Sequence, residues 1–151
     1  MENLFNTKDR ELILERISKL NENSKAVWGK MNVNEMMVHL TDPLRVAIGE
    51  KQAEFFKTEY SEPGLRHKII YELEWPKDSP TSPEFNREFK GTEPMDFKSD
   101  LDTLHEVVKN FISKSDEVSF TIHPTFGDIS KEDWGRLMWK HMDHHLKQFG
   151  S

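Results

Sequence analysis

Apolar residues near the start of the chain recur at helical spacing, with Leu12 beside Ile13, Ile17 and Leu20, and predict a first helix over about 8–22. Thr7 or Asp9 is its candidate cap. Residues 21–25 are polar and turn-forming, and Asn32 or Asn34 then offers an N-cap for a second helix running to about Gly49. Val33, Met36, Met37, Leu40, Leu44 and Ala47 form its apolar stripe. Pro43 lies inside this stripe, lacks an N–H, and is expected to kink the helix. From residue 50 to about 94 the periodicity breaks up among Pro63, Pro76, Pro80, Pro83 and Pro94. A structureless connection of that length is uncommon, so short helices are expected around Leu65 to Leu73, with a packed extended tail from Trp75 to Phe89. Phe97, Leu101, Leu104, Val108, Phe111 and Ile112 give the stripe of a third helix, and 113–127 reads as a loop. Ser130 with Asp133 three positions on is a capping-box variant opening a fourth helix through Trp134, Leu137, Met138 and Phe149 to Gly150. Four long amphipathic helices predict an all-α four-helix bundle. The long second connection fits a crossover that leaves helices two and three parallel.

The 151 residues suit one domain spanning 1–151. Only 35% of them are hydrophobic, but 10 Phe and 4 Trp supply enough apolar area for a core. A net charge of −6 argues against a nucleic-acid groove binder, which needs clustered Lys and Arg on the phosphates. No run is long and apolar enough for a membrane span, and the first ten residues lack the apolar region of a signal peptide, so a cytosolic location is expected. The chain has no cysteine, which excludes disulfides and thiolate nucleophiles, and any metal must be bound by His, Asp or Glu.

Three of the seven histidines are hard to place on the surface. Taking Trp134 as zero at about 100° per residue, His141 falls near −20° and His145 near +20°, on the apolar face between Leu137 and Met138. Their i, i+4 spacing puts two rings one turn apart, as two ligands of a single cation require. His39 lies at the edge of the buried arc of helix two. Together the three could form a facial metal site with open positions for water or substrate. The competing reading is three core histidines, each hydrogen-bonded to carbonyls or carboxylates. His144 lies at the stripe's edge as a supporting or surface residue, and His67, His105 and His123 read as structural. Met142 follows His141 where a zincin's HExxH carries its general-base Glu, and Glu35 and Asp42 are expected to face solvent, so no protein base is evident and the catalytic residues stay unassigned. No Walker loop, GxGxxG fingerprint or GxSxG elbow is present.

The run His141 to Gln148, reading His-Met-Asp-His-His-Leu-Lys-Gln, resembles the last helix of the DinB-like (YfiT-like) superfamily of metal-binding bundles, and His39 in Met-Met-Val-His-Leu matches its single helix-two histidine. Trp28-Gly29-Lys30-Met31, the stretch Trp75-Pro76-Lys77 to Pro83, His123-Pro124-Thr125-Phe126-Gly127, and the chain from Trp134 to Gly150 resemble an uncharacterised branch of that superfamily. The resemblance implies an up-down-down-up bundle of mainly bacterial occurrence, with His39, His141 and His145 as ligands to a divalent zinc, nickel or iron ion. It implies no single activity, since some relatives are similar to metal-dependent thiol S-transferases and others to isomerases or hydrolases; the leading expectation is a metal-dependent thiol S-transferase or hydrolase acting on a small molecule or thiol. The alternative is a non-catalytic metal or small-ligand binding module of stress response. No nucleic-acid or membrane partner is expected, and a homodimer has no sequence signature for or against it.

Overall fold

The computed structural model describes residues 1–79, 81–86 and 89–151. Among these the chain is all-helical, with five α-helices and no β-strand: α1 (Thr7–Ser18), α2 (Val33–Ala47), α3 (Pro63–His67), α4 (Phe97–Lys114) and α5 (Lys131–Gln148). A π-helical turn, Lys68–Glu72, continues α3, and a 3₁₀ turn, Pro83–Phe85, punctuates the following segment.

Each long helix starts on a side chain that accepts an otherwise unpaired backbone N–H of its first turn. Asn6 caps α1, one residue before the expected Thr7. Asn32 and Glu35 form a reciprocal capping box on α2, and Ser130 and Asp133 form one on α5, as the sequence signal predicts. Asp96 caps α4. α1 ends at Ser18, short of the expected 22, because the Asn21 carboxamide and the Ser24 hydroxyl bond backbone N–H groups of the turn that follows. Leu20 still reaches the core from outside the helix.

α2 is the central element. It packs against α4 and α5, and α1 packs against α5. Residues 83–85 and Thr92 lie against α2 as well, and its burial extends beyond one stripe to Val38, Thr41 and Asp42. Asp42, expected at the surface, is 1% exposed. Its carboxylate accepts from the Thr92 N–H and hydroxyl and pairs with Lys51 Nζ at 3.4 Å, fastening the long connection to α2. Glu35 serves the capping box.

The expected short helices of the connection are present as α3 and the π turn. The packed tail is only partly so: Phe85 is buried, but Phe89 is 70% exposed. Pro80, Arg87 and Glu88, which also fall in that predicted tail or its proline pattern, lie outside the described residues. At the far end of the core Phe5, Phe111 and Phe120 stack, with centroids 5.3 Å and 4.8 Å apart, and Phe120 meets Trp134 edge-on. Gly135 lets the N-terminal arm lie against α5, since a Cβ there would stand 2.1 Å from Asn3 Oδ1. No helix among the described residues is long and apolar enough to cross a membrane.

Candidate metal centre

The packing of α2 on α5 brings His39 to His141 and His145. Their ring centroids are 4.6–4.8 Å apart and their planes nearly perpendicular, at 69–86°. Edge-on rings of this kind aim nitrogens inward. His39 Nε2 lies 2.9 Å from His141 Nε2 and 3.0 Å from His145 Nε2, and the potential ligand atoms of all three residues fall within 4.8 Å of one another. Among the described residues the cluster contains no carboxylate.

The outer partners determine where the protons sit. His39 Nδ1 is 2.6 Å from the Phe85 carbonyl, which can only accept, so Nδ1 carries the proton and Nε2 a lone pair. Gln148 Nε2 donates to the Trp28 carbonyl at 3.0 Å, which turns Gln148 Oε1 toward His145 Nδ1 at 2.7 Å. His145 is thereby fixed as the same tautomer. Two bare nitrogens then face each other at 3.0 Å, where no hydrogen bond between neutral rings can form. A cation between them converts this repulsion into ligation, and carbonyl-type acceptors behind metal-bound histidines are the usual arrangement.

The spacing agrees with that reading. Two nitrogens about 2.05 Å from one ion subtend about 2.9 Å at a right angle and about 3.3 Å at the tetrahedral angle. The two separations from His39, 2.9 Å and 3.0 Å, match the right-angle case. His141 completes the set with its Nδ1 buried and without a partner among the described residues.

Burial dominates the electrostatics. It lowers the pKa of His39, lowers that of His141 well below the usual value with help from its histidine neighbours, and lowers that of His145 to about 3. All three rings are neutral at pH 7 and available as ligands.

Local sequence features build these supports. Pro43 has no N–H for the His39 carbonyl one turn before it, so the helix ladder is interrupted at the ligand-bearing residue. The 3₁₀ turn at Pro83–Phe85 presents the Phe85 carbonyl, and Gly29 lets the Trp28 carbonyl approach Gln148. With φ of +81°, a Cβ at Gly29 would stand 2.4 Å from Gln148 Nε2.

The other histidines lie outside the cluster. His144 is half-buried, its ring 5.0 Å from that of His145 and flanked by Trp75 and Trp28. His123 is buried and accepts from the Thr125 and Phe126 N–H groups through Nδ1, closing the His123-to-Gly127 turn. Burial lowers its pKa to about 3. His67 stacks on Tyr71, and His105 is exposed. The supporting roles of Phe85, Trp28 and Gly29 have no signal in the sequence. Two of these act through carbonyls, which have no side-chain signature, whereas Gln148 was at least visible in the last-helix pattern.

Fold and site together define an all-helical protein with a three-histidine group that could hold a metal ion. The chain belongs to the family described as "Protein of unknown function (DUF1569)", which matches residues 4–151. No curated protein and no solved structure matches it.

Proposed function

We propose that His39, His141 and His145 bind one divalent metal ion, of the zinc, nickel or iron kind, in a four-helix bundle of the DinB-like up-down-down-up type formed by α1, α2, α4 and α5. We further read the protein as a metal-dependent enzyme for a small molecule or thiol, of the transferase or hydrolase class. The observation that carries the metal reading is the pair of bare Nε2 atoms of His39 and His145, fixed toward each other by the Phe85 carbonyl and Gln148.

Three neutral imidazoles leave the ion's charge undiminished, and a divalent ion bound so would act as a Lewis acid that lowers the pKa of a water or thiol. The protein's own contribution is positional. Phe85 and Gln148 fix two of the ring orientations, and the apolar surroundings hold all three rings neutral. A second reading, a metal holder without catalysis, is favoured by the absence of a carboxylate from the cluster among the described residues.

Metal content by plasma mass spectrometry on untagged protein, beside His39→Ala and His141→Ala, tests the site. Near-stoichiometric metal in the parent and its loss in both variants is the expected result; a parent that stays empty after reconstitution overturns it. Azide or thiol binding to the cobalt-loaded protein separates the two readings, because a closed holder gives no spectral change.

A further inference from the structure

A groove of about 520 Å³ adjoins the histidine cluster, within the range of small-molecule sites. Trp28, Trp75 and Trp139 line it, with Lys77, Lys140 and His144 among them. It meets the cluster at two points: the Trp75 ring lies 6.2 Å from that of His141, and His144 lies 5.0 Å from His145.

The charges of the groove are unevenly compensated. Arg136 is paired with Glu2 at 3.3 Å and Lys147 with Asp143 at 2.8 Å. Lys77 and Lys140 have no carboxylate within ion-pair distance among the described residues; each lies over an indole instead, Lys77 over Trp28 at 5.0 Å and Lys140 over Trp75 at 5.5 Å. Lys140 donates to the carbonyls of Ile69, Ile70 and Leu73, which orient its ammonium without cancelling its charge. Glu74 acts on it only at longer range, and burial and the charge of Arg136 lower its pKa to about 8. Glu72 and Glu74 also line the groove, Glu72 turned toward His67 at 3.8 Å, so Lys77 and Lys140 are offset at a distance rather than by contact. Indole rings and two cations without a contacting carboxylate in one cavity are complementary to a flat apolar body that carries one negative group.

We propose that this groove binds an aromatic monoanion, a carboxylate on one or two fused rings, with its rings on the indoles and its charge offsetting Lys77 and Lys140. The site requires no metal, although it opens beside the cluster.

The test titrates metal-free protein with 2-naphthoate and with 2-naphthamide, its neutral isostere, following the four indole N–H signals by ¹H–¹⁵N NMR, assigned through single Trp→Phe substitutions. Naphthoate should shift Trp28, Trp75 and Trp139 and leave Trp134, which is fully buried in the core, unmoved. Naphthamide should bind at least about fivefold more weakly, and Lys77→Met should remove most of that difference. His39→Ala, with the cluster broken, should keep the naphthoate response. Unmoved groove indoles, equal affinity for the amide, or a response lost in His39→Ala would each overturn the proposal. The last of these would assign the anion to the histidine cluster instead.

Discussion

Gln148 does two jobs with one amide, accepting from His145 Nδ1 and donating to the Trp28 carbonyl. Gln148→Leu keeps the volume and removes both bonds. Metal affinity should then fall about 10- to 100-fold, the usual effect of losing such a supporting partner. Stability should fall by about 1–3 kcal/mol, because the Trp28 carbonyl loses its donor. Chelator competition reads the first effect and urea unfolding the second; a Gln148→Leu protein with parental metal affinity would remove Gln148 from the account. Gly29→Ala should act through the same residue, since its Cβ would collide with Gln148 Nε2 and its φ of +81° strains any other side chain. Both effects should appear together in that variant, as weaker metal binding and a lower urea midpoint. The ligands themselves were legible in the sequence because three histidines on apolar stripes break the hydrophobic pattern. The carbonyls that fix their tautomers were not, since any residue can supply one.

Among the elements, α2 and α5 follow from their periodicity and caps and α4 from its periodicity alone, but the burial of Asp42 does not. A helical-wheel argument places Asp42 away from Met36 and therefore outside, which holds only while one face of the helix is covered. Here the long connection covers a second face through residues 83–85 and Thr92, and Asp42 fastens it through Thr92 and Lys51. Asp42→Ala should cost about 3 kcal/mol by urea denaturation, because it strands buried donors and the Lys51 charge. Ser130→Ala removes only the α5 cap and should cost about 1 kcal/mol with metal affinity unchanged. Equal costs for the two substitutions would contradict the fastening role of Asp42. The same segment carries the Phe85 carbonyl to His39, so the irregular half of the chain determines the site as much as the regular half does.

For the molecule as a whole, the buried histidines link folding to pH. His123 and His145 have pKa values of about 3 when folded, far below the roughly 6.5 of an exposed ring. Below about pH 6.5 the unfolded chain takes up protons that these rings refuse, so stability is intact above that pH and falls as pH drops toward 3. Each ring contributes about 1.4 kcal/mol per pH unit across that window. Metal-free protein should therefore show a lower urea midpoint at pH 5.5 than at pH 7, before most carboxylates titrate; equal midpoints would show that these rings are not buried and neutral. Neutral rings at pH 7 are also the form that binds a metal, so the burial that destabilises the chain in acid prepares the site at neutral pH. The proposed site requires the three Nε2 atoms to converge on one ion. Its most direct test is a long-range ¹H–¹⁵N spectrum of the imidazoles, recorded before and after one equivalent of zinc. His39 and His145 should begin as Nδ1–H tautomers, and the Nε2 signals of His39, His141 and His145 should move together on zinc addition. A proton on Nε2 of His39 or His145 in the metal-free protein, or Nε2 signals indifferent to zinc, would contradict it.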